Sequence, residues 1–203
     1  MNTAMPALFV ADSPGLDFLN SIATPVDTPV DWIADGAGLI AWLRQSQWVP
    51  AATLDGMANE ATPKGLNAVA AQARELREWL RRFVLKYQGH PLPVRNAQEL
   101  EPINALLRQD QIFYQLVVGK EGIQLDAQRR WTSAQTLLVP IAEAIARMIS
   151  EEDFTHIKTC EGHGCTLMFA DHTRARGRRW CSMSLCGNRA KVSAHRKRQQ
   201  AVR

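Results

Sequence analysis

The chain has 203 residues, 46% of them hydrophobic, which is enough to bury a core and excludes a disordered polymer. Its net charge of +4 is unevenly spread: residues 1–157 carry 13 Lys+Arg against 18 Asp+Glu, and residues 158–203 carry 11 against 2. A mildly acidic body with a strongly basic tail excludes a uniformly basic coat and points to a polyanionic partner for the tail.

In chain order, residues 7–10 (ALFV) and 15–22 (GLDFLNSI) flank Ser13-Pro14-Gly15 and read as two short strands joined by a tight turn. A helix follows Asp35, with Leu39, Ile40 and Leu43 inward and Trp42 and Trp48 at its flanks. The clearest element covers residues 64–88, where Leu66, Val69, Ala73, Leu76, Leu80, Phe83 and Tyr87 recur at three- and four-residue spacing. Arg74, Glu75, Arg77, Glu78, Arg81 and Arg82 take its other faces. Beyond the break at residues 89–93 the pattern predicts a shorter helix over 97–109. A hairpin then follows in which IFYQLVV and GIQLDAQ flank Gly119–Gly122. A last body helix starts near Thr132, capped by Thr132 and Gln135, kinks at Pro140 and ends about Glu152. Its apolar run is broken by Pro140, Glu143 and Arg147, well short of the roughly 20 residues of a membrane span. The first residues lack a charged n-region followed by an apolar stretch, so no signal peptide is read and a cytoplasmic location, with reduced thiols, is expected. His90 and His156 stand alone and read as solvated or packed.

Four cysteines, the only ones in the chain, form two C-x4-C pairs: Cys160 with Cys165, and Cys181 with Cys186. Disulfides, buried free thiols and a redox couple are alternatives. A reducing compartment opposes the first, and the C-x-x-C of redox sites is absent. Paired soft donors fit one tetrahedral zinc ion, with His163 and His172 as possible substitute ligands. Four thiolates close the coordination shell, so the zinc is expected to be structural. Between the pairs, TLMFADHT reads as one strand, RARG as a turn and RRWCS as the returning strand, with a helix opening at Gly187-Asn188. The expected fold class is therefore α+β: a mainly helical domain over residues 1–157 with short strands and a hairpin, then a treble-clef-like zinc finger over 158–203 made of knuckle, hairpin and helix.

The segment WCSMSLCGNRAKVSAHRKR resembles the CGNR zinc-finger family through Cys186-Gly187-Asn188-Arg189. GLDFLNS, WLRQSQWV and ARELREWLRRFV resemble the ABATE domain that precedes this finger, with Ser21 where the family usually has threonine. The resemblance spans nearly the whole chain. It implies a bacterial, stress-induced transcription regulator with a zinc-dependent DNA-binding tail.

The residues support the same reading independently. On the final helix Ala190, Ala194 and Ala201 form a small-residue stripe for docking, whereas Arg189, Lys191, His195, Arg196, Lys197 and Arg198 take the remaining faces. Arg174, Arg176, Arg178 and Arg179 add a basic cluster in the finger's turn. Arginine's planar fork suits phosphates and guanine edges, and the scarcity of exposed aromatics disfavours single-strand stacking, so duplex DNA is expected ahead of RNA. An RNA-binding or non-specific nucleic-acid-binding zinc protein is the alternative. The body shows no nucleophile–base pair or phosphate loop, so no enzyme is expected. It could serve as a homodimerisation module or sense a small-molecule effector. Asp17, Asn20, Trp32, Trp42 and Trp48 could line such a pocket, or equally be core and turn residues.

Overall fold

A computed structural model describes residues 5–25, 28–93, 97–120 and 122–201. Among them it shows seven α-helices and three two-stranded antiparallel sheets. The first expected strand pair does not form. Residues 7–10 are irregular, and Pro14–Leu19 is a helix, α1. Ser-Pro-Gly is as good a helix start as a turn, because proline's fixed φ suits the first helical position and its missing N–H is not needed there. Strands β1 (Ile22–Ala23) and β2 (Val30–Asp31) follow.

Helix α2 (Gly36–Ser46) begins where Asp35 accepts a hydrogen bond from the Gly38 N–H at 2.8 Å. It buries Leu39, Ile40 and Leu43 as expected, and also Trp42, which meets Phe18 and Trp48 edge-on at ring separations of 5.9 and 5.0 Å. Helix α3 (Ala51–Glu60) buries only Leu54, a stripe too thin to read from periodicity. Helix α4 (Pro63–Tyr87) matches the 64–88 expectation, and Thr62 caps it through the Gly65 N–H at 3.1 Å. One of its polar residues departs from the pattern. Arg77 is buried, with its guanidinium paired to both oxygens of Asp31 at 2.8 and 2.9 Å and to the Ser21 hydroxyl at 3.1 Å.

A 3₁₀ turn over Ala97–Leu100 leads into helix α5 (Glu101–Leu107), and the hairpin of β3 (Ile112–Gly119) and β4 (Gly122–Arg129) pairs eight residues on each strand. Helix α6 (Leu138–Glu151) starts later than expected, behind a 3₁₀ turn over Ala134–Leu137. The Thr132–Gln135 capping box is replaced: Ser133 sits at the cap position, and the Gln135 amide donates to Gln72 at 2.5 Å. Pro140 falls in the first turn of α6, where there is no helical hydrogen bond for it to remove, so the expected kink has no cause.

Helix α1 sits at the centre, packed on α6, α4 and the finger strand β6 (Met168–Ala170), which pairs with β5 (Ile157–Thr159). Its approach to α6 is close enough to require Gly15, since a Cβ there would lie 2.7 Å from the Met148 Cβ. The buried residues of body and tail form one continuous cluster. Chain-distant hydrogen bonds reinforce it. The Asn20 side chain bonds both the N–H and the C=O of Met168, at 2.9 and 2.8 Å, and the Ala170 N–H reaches the Ala11 carbonyl at 2.9 Å. Among the described residues, no helix is long and apolar enough to cross a membrane.

Candidate metal centre and nucleic-acid interface

Cys160 and Cys165 lie in the loop that joins β5 to β6, so the first knuckle is the tip of a hairpin whose outgoing strand precedes the first cysteine. The return strand expected at residues 178–182 does not form, because β6 is already paired on one edge by β5 and held on the other by Ala11 and Asn20. Asp171, fully buried at the end of β6, shapes the following loop instead. Its carboxylate accepts from the Lys158 ammonium at 2.7 Å, the Thr173 hydroxyl at 2.6 Å, the Thr173 N–H at 3.0 Å and the Arg178 N–H at 2.9 Å. Burial opposes its ionisation, but these donors override burial and hold the carboxyl well below the usual carboxylate range. The loop thereby returns to Cys181. Ser182 then caps one wide π-helical turn over Met183–Gly187, accepting from the Leu185 N–H at 3.0 Å, and this turn carries Cys186 into helix α7 (Asn188–Ala201).

All four cysteines are buried, and their sulfur atoms lie within 4.8 Å of one another. Thiolates around one tetrahedral zinc stand roughly 3.8 Å apart at the usual Zn–S distance, so the cluster needs only a small contraction. Gly162 makes the approach possible, since a Cβ there would sit 2.7 Å from the Cys186 sulfur. The thiols also conflict as they stand. Cys165 is held below its ordinary thiol value, chiefly by a hydrogen bond from Cys181, and the same bond drives the Cys181 thiol far up. Four sulfurs so close cannot all ionise unless a cation joins them. Donors for thiolates are already in place: the Cys181 N–H lies 3.2 Å and the Gly162 N–H 3.4 Å from the Cys160 sulfur, and the Arg189 guanidinium lies 3.1 Å from the Cys186 sulfur. Neither His163 nor His172 belongs to the cluster, and His172 instead meets the Glu152 carboxylate at 2.7 Å.

Residues 156–199 match the CGNR zinc finger, and residues 12–152 match the ABATE family, described as "Putative stress-induced transcription regulator". The chain belongs to the ABATE family and carries a CGNR zinc finger. No curated protein matches it. The four-cysteine cluster of this CGNR finger holds one structural zinc ion. Four sulfur donors would leave a bound zinc no open position, and the ion would join the hairpin tip to the start of α7.

The basic residues of the CGNR finger divide into two groups. Arg178 points inward: its guanidinium binds Asp12 at 2.5 Å, the Val10 carbonyl at 2.7 Å, the Trp180 carbonyl at 3.0 Å and the Cys181 carbonyl, and it covers the Phe169 ring at 4.2 Å. It clamps the finger to the body instead of facing a phosphate. Arg189 bridges the Cys186 sulfur and the Pro25 carbonyl, 2.8 Å away. Arg176 donates to the Asp171 carbonyl, and Arg179 pairs with Glu161 at 2.6 Å while remaining exposed. Arg174, Lys191, Arg196 and Arg198 are exposed. The side chains of His195 and Lys197, like those of Ala194 and Ala201 in the expected stripe, lie outside the described residues. Helix α7 packs chiefly on the turn that carries Cys186.

Four of the five residues considered for an effector pocket make internal contacts. Asp17 accepts from the Ala11 N–H at 3.0 Å, Asn20 holds Met168, the Trp32 indole N–H reaches the Met5 carbonyl at 2.7 Å, and Trp42 is 1% exposed. A surface cavity of about 230 Å³ lies elsewhere. Trp48, the fifth candidate, lines it together with Arg129, Pro140 and Glu143, whereas Asp17, Asn20, Trp32 and Trp42 do not. Asn20 and Arg178, which carry the junction between body and finger, left no periodic or spacing signal. Only the recurrence of polar residues in the otherwise apolar GLDFLNS hints at the first.

Proposed function

We propose that this protein is a cytoplasmic, zinc-dependent transcription regulator of bacteria that binds duplex DNA through helix α7 and the adjoining finger loop. Cys160, Cys165, Cys181 and Cys186 are the zinc ligands in this reading. The observation that carries it is the mounting of α7: a helix bearing exposed Lys191, Arg196 and Arg198 leaves the metal cluster directly after Cys186 and packs chiefly on that one turn. A cationic helix anchored at one end has the width and charge for the major groove. Arg174 and Arg179 flank it from the loop as phosphate contacts, whereas Arg178 and Arg189 tie the finger to the body.

Selection from a random duplex library with the zinc-loaded protein tests this. An enriched sequence is expected, and Arg196→Ala should cost about 1–3 kcal/mol on that site while sparing non-specific binding. Arg174→Ala should weaken all sequences alike and lower the slope of log K against log salt by roughly 0.9. Equal binding to every duplex, or a preference for RNA in parallel competition, would reject the reading.

A further inference from the structure

Among the described residues, the β3–β4 hairpin has no extensive packing partner for one of its faces. Antiparallel register places Tyr114 opposite Ala127, Leu116 opposite Leu125 and Val118 opposite Ile123, so these side chains share one face with Ile112. Ile112, Tyr114, Leu116, Val118, Ile123 and Leu125 are 55–89% exposed, and each strand packs extensively only against the other. The opposite face has a different character, alternating Gln115, Gln124, Asp126 and Gln128 with Phe113 and Val117. A hairpin alone in water is marginal, yet this one is regular over its full length.

We infer that this apolar face is a homodimer interface, covered by the same face of a second copy of the chain. Two features of the surface select that occupant. From the Tyr114–Ala127 pair to the Val118–Ile123 pair the face carries no charged side chain, so two identical copies meet without like-charge repulsion. Its area also suits a stable self-association: six residues of roughly 200 Å² each, at these exposures, present roughly 800 Å² of apolar surface, which is what each partner contributes to a standard-size interface. Two hairpins packed face to face form a small two-layer core, with the polar face of each turned to water. At the base, Arg129 is bound to Asp110 and Glu143 at 2.7 and 2.8 Å, which fixes the hairpin to the body so that dimerisation sets the relation of the two bodies. The inference does not depend on DNA binding.

Sedimentation equilibrium of the full-length, zinc-loaded chain, from sub-micromolar to about 100 μM, tests it. A species of twice the 22.7 kDa chain mass is expected. The double substitution Leu116→Glu with Leu125→Glu buries carboxylates at the centre of the self-paired face and should weaken association at least about 100-fold. Gln115→Lys, on the opposite face, should leave it unchanged. Leu116 and Leu125 are exposed in the single chain but lie opposite one another, so the paired carboxylates should lower dilute thermal unfolding of the double variant only slightly, without loss of the folded chain. Hydrogen exchange of the hairpin amides should slow as concentration rises. A monomer throughout this range overturns the inference, whether or not the protein then co-sediments with lipid vesicles or a different protein. A dimer indifferent to the double substitution also overturns it.

Discussion

Arg77 occupies a position on α4 that periodicity assigns to solvent, and its burial follows from partners that are distant in the chain. Asp31 and Ser21 together satisfy its guanidinium, and although burial opposes ionisation of Asp31, Arg77 holds that carboxyl below its ordinary value. Removing Asp31 leaves the buried Arg77 charge unpaired, so Asp31→Ala should destabilise by about 3–5 kcal/mol, and Arg77→Ala, which leaves a partly exposed carboxylate, by less, each read as a fall in urea midpoint. Asp17 behaves in the opposite way. Burial pushes its carboxyl up to about 7, so between about pH 4 and 7 the folded chain holds a proton that the unfolded chain releases. Stability from this group therefore falls as pH rises through that window and levels off above it. Asp17→Asn, whose amide oxygen can still accept from the Ala11 N–H, should remove the slope and raise stability at pH 8 by an amount on the order of 2–4 kcal/mol. Unfolding curves at pH 5 and pH 8 for both proteins check this, and an unchanged slope would refute it.

The hairpin tip, the Asp171 loop and the Ser182-capped turn each deliver one part of the metal site, and none has enough apolar surface to hold its shape alone. Leu167 and Phe169 are large, fully buried side chains here and few others join them, so zinc should supply much of the finger's folding free energy. Cys181→Ser should abolish stoichiometric zinc in native mass spectrometry. Arg189→Ala removes a donor to the Cys186 sulfur and should lower zinc affinity roughly 10–100-fold in a chelator competition. If both variants retain full zinc content and affinity, the assigned ligand and its supporting donor are wrong.

Body and finger meet through groups that each would otherwise leave unsatisfied. The Asn20 amide completes the main chain of Met168, Arg178 binds the Val10 carbonyl, and the Ala170 N–H reaches the Ala11 carbonyl at 2.9 Å. The division into an independently folding body over residues 1–157 and a finger over 158–203 is a proposal that truncation tests. Ending the chain after Glu152 strips the partners from Asn20 and Phe83, so the body should lose several degrees in Tm and bind a hydrophobic dye. Chelating zinc from the full chain should reproduce part of that loss, because the body lies against a finger that no longer holds its shape. A truncated body that melts as sharply and as high as the whole protein would establish two independent units.

The order of helices α2, α4, α5 and α6, the β3–β4 hairpin and the four-cysteine site were legible in the chain, because each rests on local regularity: a 3.6-residue apolar period, alternation around a glycine turn, or paired soft ligands. Helix α1 in place of a strand, the pairing of β6 with β5 and the burial of Arg77 were not. The residues after Ser-Pro-Gly satisfy either local geometry, and the choice fell to the close approach of Gly15 to α6. The direction of the finger arginines was equally hidden. Arg174 and Arg178 differ little as sequence, but the Asp171 turn leaves one in solvent and aims the other at carbonyls of Val10 and Cys181, and only packing brings those acceptors together.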